Sequence, residues 1–194
     1  MNKTVAATIT VLVVALAVEP AWTQSRTRLA GAREKGEPEA VAKIINARGQ
    51  EIGEAVLDET PHGVLIEVEL RNYANRQHVL PGVHAFHIHA VGRCDPPGFE
   101  SIGEHYNPTT RQHGVLNVEG MHVGDMLNLH MPVGQAQHFE VLALDATLLP
   151  GDNSLFDDDG SALVIHENSD DYRTDPTGNA GGAVACGVIE RPEE

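Results

Sequence analysis

The sequence predicts an all-β domain, a sandwich or barrel of short strands with two long loops between them. Three observations support this fold class. The 194 residues include 19 glycines and 11 prolines, a composition that suits a turn-rich β architecture better than a helix bundle. After residue 38, short apolar runs alternate with turn signals. No stretch of the sequence shows a convincing long helical pattern.

The N-terminal segment precedes this pattern and differs from it. Lys3 precedes an apolar run from Val5 to Val18, and residues 15–17 (Ala-Leu-Ala) offer a small-x-small cleavage site. The segment predicts a secretory signal peptide over residues 1–17, or alternatively an uncleaved anchor that tethers the protein to a membrane through residues 1–18. Residues 18–38 are charged and poor in β-branched residues, which predicts a flexible tether before a domain over 39–194. Either alternative places the domain outside the cytoplasm, secreted or periplasmic.

Five strand candidates follow from the apolar pattern. In Val64–Leu70 apolar and acidic residues partly alternate, as on a strand with one wet face. The others are HAFHIHAVG, HFEVLALDATLL, SALVIHE and AVACGVIE. Two stretches are too long and too polar to be turns, Gly92 to about Met126 and Glu167 to Gly182, and each directly follows a histidine-bearing strand. Long ordered loops in a compact β domain usually carry function.

The net charge indicates which classes of partner are unfavourable, and the cysteine content is to be considered together with the predicted export. The formal net charge of −15 disfavours nucleic acid and anionic membrane surfaces as partners. The chain has two cysteines, Cys94 and Cys186. In an exported protein they most simply form one disulfide, and two unpaired buried thiols are the alternative.

Histidines gather in three places along the chain. Residues two apart on a strand share a face, so His87 and His89 form a pair of potential metal ligands, although such a pair alone can be incidental. The first long loop carries three more histidines and a carboxylate, enough for a closed tetrahedral zinc site. A further histidine lies on a late strand. These residues are His105, His113, His122, Asp125 and His166.

Several of these stretches resemble the copper,zinc superoxide dismutases, and most closely their secreted bacterial type. The resemblance rests on GVHAFHIH, EHYNPTTRQHG, MHVGD, DDDGSALVIHENSDDYRTDPTGNAGG and ACGVI, in the family's order and spacing. It covers roughly Ala40 to Ile189. It implies a Greek-key β-barrel or sandwich, immunoglobulin-like, of about eight antiparallel strands.

The resemblance also implies one copper and one zinc ion per subunit. Copper would be held by His87, His89, His105 and His166, and zinc by His105, His113, His122 and Asp125. His105 would bridge the two metals and act as the catalytic residue. Asp170 would link a copper histidine to a zinc histidine, Cys94 and Cys186 would form the disulfide, and His84 would be structural. The remaining histidines match no ligand position and are predicted to lie at the surface; they are His62, His78, His130 and His138.

The resemblance implies dismutation of superoxide to O2 and H2O2. It also implies a homodimer or a monomer, since both occur among the relatives.

One position departs from the family. Ala183 stands where the family has an arginine at the mouth of the copper channel. Either another cation replaces it, with Arg93, Arg111 and Arg173 in the relevant loops, or turnover is reduced. The alternative function is a copper-binding or copper-buffering protein with little turnover.

Overall fold

The described part of the protein covers residues 38–71, 79–134 and 136–193 of a computed structural model. The predicted signal peptide and almost all of the predicted tether lie outside these residues. Within them, no helix has the length and apolar character needed to cross a membrane. The first strand starts at Ala40, next to the predicted start of the domain at residue 39.

The described chain forms nine β-strands and a short 3-10 turn at Glu100–Ile102, and every strand pair is antiparallel. This confirms the predicted all-β class. The strands are β1 Ala40–Asn46, β2 Glu51–Thr60, β3 Gly63–Arg71, β4 Gly82–His84, β5 Phe86–His89, β6 Leu129–Met131, β7 Ala136–Leu144, β8 Ala162–His166 and β9 Ala183–Val188.

A seven-stranded sheet holds most of the strands in the order β5-β8-β9-β1-β2-β3-β7, and β4 pairs with β6 separately. Strands β1, β2 and β3 are neighbours in sequence as well as in space. In contrast, β5 pairs with β8, which comes more than 70 residues later, so that His87 lies opposite Val164 and His89 opposite Ala162. This long-range pairing brings the His87–His89 strand beside the strand that ends at His166.

The predicted strand HAFHIHAVG is interrupted at Ala85. The Ala85 N–H donates to the carbonyl of Asn168 at 2.8 Å, and the Ala85 carbonyl accepts from the His166 N–H at 3.0 Å. Ala85 therefore leaves the ladder of β4 and attaches the chain to the end of β8. The single predicted strand becomes two, one in each sheet.

The predicted strand HFEVLALDATLL is also shorter than expected. Strand β7 ends at Leu144, and Asp145 has a φ of 62°, in the left-handed region that ends an extended strand. Thr147 and Leu148 then donate to the carboxylate of Glu59 instead of continuing the ladder. The apolar residues of this segment continue past the strand because they still pack inward: Ala146 and Leu148 are buried.

The main core follows the alternation of the strands. On β3, the inward-facing side chains of Val64, Ile66, Val68 and Leu70 are fully buried. On β5 and β8 every residue is buried, so these strands are covered on both faces. Phe86 and Ile88 belong to the main core, whereas a second cluster joins Phe99 of the first long loop to Val164 of β8.

Cys94 and Cys186 form a disulfide, with their Cα atoms 5.8 Å apart. The bond attaches the first long loop to β9 across 92 residues of sequence. For a loop of this size, the chain-entropy model gives a stabilisation of about 4–5 kcal/mol. The loop that carries the candidate ligands is therefore covalently held against the sheet, and of the two alternatives the disulfide is confirmed.

Candidate metal centre

Strand β5 directs two histidines to one side. Because side chains alternate along a strand, Phe86 and Ile88 enter the main core while His87 and His89 face the opposite way. Both imidazoles are buried even so, at 0% and 5% exposure. The first long loop covers them, so the predicted shared face is confirmed, and it is an interior face.

The first long loop reaches the site by pairing with the open edge of β5. Tyr106 N–H donates to the Ile88 carbonyl at 2.8 Å, and Ile88 N–H donates to the Gly124 carbonyl at 2.9 Å. These bonds form isolated bridges that place His105 beside His89, and Asp125 beside His87. A Cβ at Gly124 would collide with the Ile88 carbonyl oxygen, so this close approach requires glycine.

Four imidazoles converge at this point. One ring nitrogen from each of four residues lies within 4.8 Å of the others; the residues are His87, His89, His105 and His166. The ring centroids of His87 and His105 are 4.0 Å apart. All four side chains are buried. The structure thus brings together residues from β5, the first loop and β8 that are up to 79 positions apart in sequence (166 − 87).

Two of these rings have their tautomer fixed by backbone carbonyls. The Nδ1 of His89 lies 3.0 Å from the Gly103 carbonyl oxygen, and the Nδ1 of His166 lies 3.1 Å from that of Gly181. A carbonyl only accepts, so each Nδ1 carries the proton. Both Nε2 atoms then present lone pairs, and they face each other at 3.2 Å. Two lone pairs at this distance repel unless a cation lies between them.

The other two rings contribute lone pairs in the same way. The Nε2 of His87 lies 3.0 Å from Asp170 Oδ2, which leaves its Nδ1 as the acceptor nitrogen. The Nδ1 of His105 lies 3.0 Å from Asp125 Oδ1, which leaves its Nε2. Within the described chain, these two remaining nitrogens are buried and have no hydrogen-bond partner. The donor set of this group is therefore His87 Nδ1 together with the Nε2 atoms of the other three.

A second group is organised around the carboxylate of Asp125. Its Oδ1 lies 3.0 Å from the Nδ1 atoms of His105 and His113 and 3.2 Å from that of His122. Its Oδ2 accepts from the backbone N–H groups of Gly114 and His122. Burial disfavours the charged carboxylate, but these hydrogen bonds outweigh it and hold the pKa of Asp125 far below its usual range.

Asp170 connects the two groups through a single carboxylate. Its Oδ2 accepts from His87 Nε2 and its Oδ1 accepts from His113 Nε2, both at 3.0 Å. Burial opposes ionisation, yet the bonds from His113 and His87 lower the pKa of Asp170 to about 2. Gly178, with a φ of 62°, packs against this carboxylate, and a Cβ there would collide with both Asp170 and His113.

Burial and hydrogen bonds to carboxylates give three rings of the first group and His113 of the second group opposite protonation preferences. Loss of hydration lowers the pKa of His87 to about 4, of His166 to about 3 and of His89 to about 2. These imidazoles are uncharged at neutral pH. Burial also disfavours the charged form of His113, but hydrogen bonds to Asp125 and Asp170 raise its pKa to about 9. The lone pairs of His87, His89 and His166 are therefore not occupied by protons at neutral pH.

The other predicted residues lie as follows. The ring nitrogens of His84 each lie 2.7 Å from a backbone carbonyl oxygen, those of His166 and Leu80, as expected for a structural histidine. His62, His130 and His138 are exposed, and His78 lies outside the described residues. Of the three candidate arginines, Arg93 pairs with Asp95 at 2.6 Å, Arg173 donates to the Leu116 carbonyl at 3.3 Å, and Arg111 is exposed.

Several residues that support the site were not predicted from the sequence. The Asp175 carboxylate accepts from the His113 N–H at 2.6 Å. Asn128 exchanges hydrogen bonds with the backbone of Asp170, and its own N–H donates to the Tyr172 hydroxyl at 2.7 Å. The second long loop is thereby attached to the first. An acidic or amide residue in a loop carries no sequence signal of this role, since it is equally common as a surface residue.

Together, the fold and these two groups define an all-β protein with buried imidazole and carboxylate clusters that could hold metal ions. Among the described residues, the acceptor nitrogens of His87 and His105 have no hydrogen-bond partner, and those of His89 and His166 face only each other. Imidazole and carboxylate are ligands that suit zinc, and imidazole suits copper. The donor set therefore fits both metals implied by the resemblance.

Comparison with known proteins gives the family. The family model for copper/zinc superoxide dismutase matches residues 52–189. The chain is 47% identical over 150 residues to "Superoxide dismutase [Cu-Zn] 1" of Aquifex aeolicus, covering 77% of this chain and 86% of the relative. It is 38% identical to the corresponding protein of Caulobacter vibrioides, covering 78% and 85% of the two chains. The chain belongs to the copper/zinc superoxide dismutase family.

Solved structures agree with this assignment. A crystal structure of a SOD-like protein from Bacillus subtilis aligns with a TM-score of 0.70 at 31% identity, covering 76% of this chain and 96% of the other. The Cu/Zn superoxide dismutase from Brucella abortus aligns with a TM-score of 0.59 at 28% identity, covering 78% and 100%. These neighbours confirm the predicted β-barrel class.

Proposed function

We propose that this protein dismutes superoxide to O2 and H2O2 at a copper centre supported by zinc. The observation that carries the proposal is the convergence of four buried imidazole lone pairs, two of which face each other at 3.2 Å. A domain that served only as a packing or docking unit would have no reason to bury these nitrogens without partners. Family membership supports the same function.

For copper we assign His87 Nδ1 and the Nε2 atoms of His89, His105 and His166. Four nitrogen donors suit the tetragonal geometry of Cu(II). When bound, copper supplies the one-electron redox chemistry of the reaction. The protein's part is to keep the nitrogens of His87, His89 and His166 unprotonated, and the low pKa values of these three rings support that role.

For zinc we assign His105, His113, His122 and Asp125. Among the described residues, the set of ligand atoms that lie within 4.8 Å of one another contains His87 in place of His122, beside His105, His113 and Asp125. We favour His122 because its Nδ1 faces the same Asp125 oxygen as the other two, whereas His87 Nε2 is bonded to Asp170. Three nitrogens and one carboxylate oxygen would supply the four protein donors that structural zinc sites typically have.

His105 is the proposed bridging and catalytic residue. Its Nδ1 is directed at the zinc group and its Nε2 at the copper group, so one ring belongs to both sets. The reaction consumes protons as H2O2 forms. The Nε2 of His105 is placed to hold a proton when it is not bound and to pass that proton to the reduced oxygen species.

The proposal is tested by assaying superoxide dismutation with purified protein whose copper and zinc contents are measured in the same sample. We expect H2O2 formation in proportion to bound copper, which is lost on copper removal and restored by copper. Full copper loading with almost no turnover would instead support the copper-buffering alternative. Rapid turnover by metal-free protein would contradict both.

Ala183, where the family has an arginine, lies next to one of the proposed copper ligands. Ala183 is partly exposed and is the cross-strand partner of His166, so a long side chain there would begin beside the copper group. A cation at this position attracts and orients an anionic substrate, which a body of net charge −15 otherwise repels. Among the candidate replacements, Arg93 is paired with Asp95. We propose that turnover is reduced for this reason.

Ala183→Arg is therefore expected to raise kcat/KM about 10- to 100-fold, which corresponds to roughly 1.4–3 kcal/mol of transition-state stabilisation. The gain should shrink as salt rises, because salt screens the added charge. Ala183→Gln is the matched control, since it adds length without charge. An unchanged rate in the arginine variant would show that a cation from elsewhere already serves the channel.

The compartment and assembly of the protein remain proposals. The Cys94–Cys186 disulfide is consistent with an oxidising, extracytoplasmic location, and we propose that the protein is periplasmic or secreted. Cleavage after residue 17 and the 18–38 tether are part of this proposal. The homodimer stays a prediction, to be tested by the mass of the protein in solution.

A further inference from the structure

Strand β7 forms one edge of the seven-stranded sheet, and among the described strands it pairs only with β3. The opposite edge, β5, is covered by the first long loop through the bridges at His87 and His89. No such bridge joins another segment of the described chain to β7. The backbone N–H and C=O groups on the outer edge of β7 therefore offer a template for pairing with a further strand.

Strand β7 lacks most of the features with which natural edge strands prevent such pairing. It is nine residues long, contains neither proline nor lysine, and follows β3 without a bulge. Leu142 and Leu144 on its outer face are 37% and 45% exposed. Phe139 and Val141 on its other face are only partly buried and border an open groove of about 790 Å³. Both faces of this edge therefore carry apolar surface that a further strand would cover.

The charged side chains of β7 are self-complementary in one register. His138 and Glu140 lie two residues apart and share the exposed face of the strand. If two β7 strands pair antiparallel about a two-fold axis at Phe139, His138 of each copy lies opposite Glu140 of the other. Opposite-charge pairs at such positions stabilise a sheet, and like charges destabilise it. A two-fold axis at Glu140 is disfavoured, because it would place this carboxylate opposite its own copy.

The same register also brings apolar side chains together. Phe139 lies opposite its own copy, and Leu142 lies opposite Ala136. Val141 lies opposite Gln137. Aromatic cross-strand pairs are among those that stabilise antiparallel strands. The second strand would cover the side of the groove that β7 forms.

We propose that two copies of this chain associate through β7, antiparallel and about a two-fold axis at Phe139, so that their sheets become continuous. The pairing names a surface for the predicted homodimer, and it does not depend on the proposed dismutase function. The formal net charge of −15 on each chain opposes association. Charges farther apart than about 8 Å are largely screened at physiological ionic strength, so the dimer is measured there.

The test is sedimentation of the metal-loaded protein over a range of protein concentrations. We expect a reversible equilibrium between monomer and dimer. His138→Glu places two carboxylates opposite each other at both ends of the pairing, and it should weaken the dimer about tenfold or more. The double variant His138→Glu/Glu140→His exchanges the two residues. It should restore the dimer, because each residue again lies opposite the other type.

His62→Glu is the matched control, because it makes the same exchange at an exposed position in the turn between β2 and β3, outside β7. It should dimerise as the unmodified protein does. His138 and Glu140 are exposed as well, so all variants should keep the unfolding temperature of the unmodified protein.

A protein that stays monomeric at every concentration overturns the proposal. A dimer that is equally strong in His138→Glu also overturns it, since such a dimer uses another surface. If the double variant fails to restore a dimer that His138→Glu has weakened, the register about Phe139 is wrong. None of these outcomes bears on dismutation, which is assayed separately.

Discussion

His105→Ala is expected to lower copper-dependent dismutation by at least about two orders of magnitude. Loss of a residue that only supports a metal ligand already lowers metal affinity or activity about 10- to 100-fold. The same substitution should weaken zinc binding. The reason is that His105 directs Nδ1 to Asp125 and leaves Nε2 buried without a partner among the described atoms, so one deletion removes a donor from both proposed sets. Activity is measured at fixed copper content, and zinc affinity by competition with a chelator.

Two further variants serve as comparisons for this experiment. His89→Ala should impair copper binding and dismutation while leaving zinc affinity nearly unchanged, because the imidazoles grouped around Asp125 are those of His105, His113 and His122. His130→Ala, which removes an exposed histidine from β6, should change neither property. If His105→Ala retains the zinc affinity of the unmodified protein, the proposed bridging role is wrong.

The parts of the site that could be predicted from sequence are those with a local pattern. The strand period of two places His87 and His89 on one face, and the structure confirms this. The convergence of this strand with His105 and His166 is a long-range fact, set by β5–β8 pairing and by the bridges of the first loop. Before the structure, this convergence was implied only by the family resemblance, because the local spacing of residues does not determine which strands pair.

The backbone carbonyls that orient two of the proposed ligands were beyond sequence analysis. The tautomers of His89 and His166 depend on the carbonyls of Gly103 and Gly181, and every residue has a carbonyl, so none is distinguished in sequence. Two predicted strand boundaries were wrong for a related reason. The break at Ala85 and the early end of β7 at Leu144 follow from hydrogen bonds to distant residues, which override the local apolar pattern.

Asp170→Asn is expected to weaken copper binding about 10- to 100-fold, the range typical for the loss of a partner that orients a metal ligand. The carboxylate accepts from the Nε2 atoms of both His87 and His113. An asparagine has one carbonyl oxygen and one NH2 group, so one of the two rings must face a donor. That ring would have to carry its proton on Nδ1, the atom proposed to bind the metal.

The backbone decides which of the two rings is affected. Tyr172 N–H donates to Asp170 Oδ1 at 2.6 Å, so the amide oxygen should occupy that position and continue to accept from His113. The NH2 group then faces His87, and copper affinity should fall more than zinc affinity, both measured by chelator competition. Asp152→Asn, which removes the same charge from an exposed loop position, is the control and should alter neither affinity. A larger loss of zinc affinity would place the amide the other way round, whereas unchanged affinities would mean that Asp170 does not set the tautomer of His87.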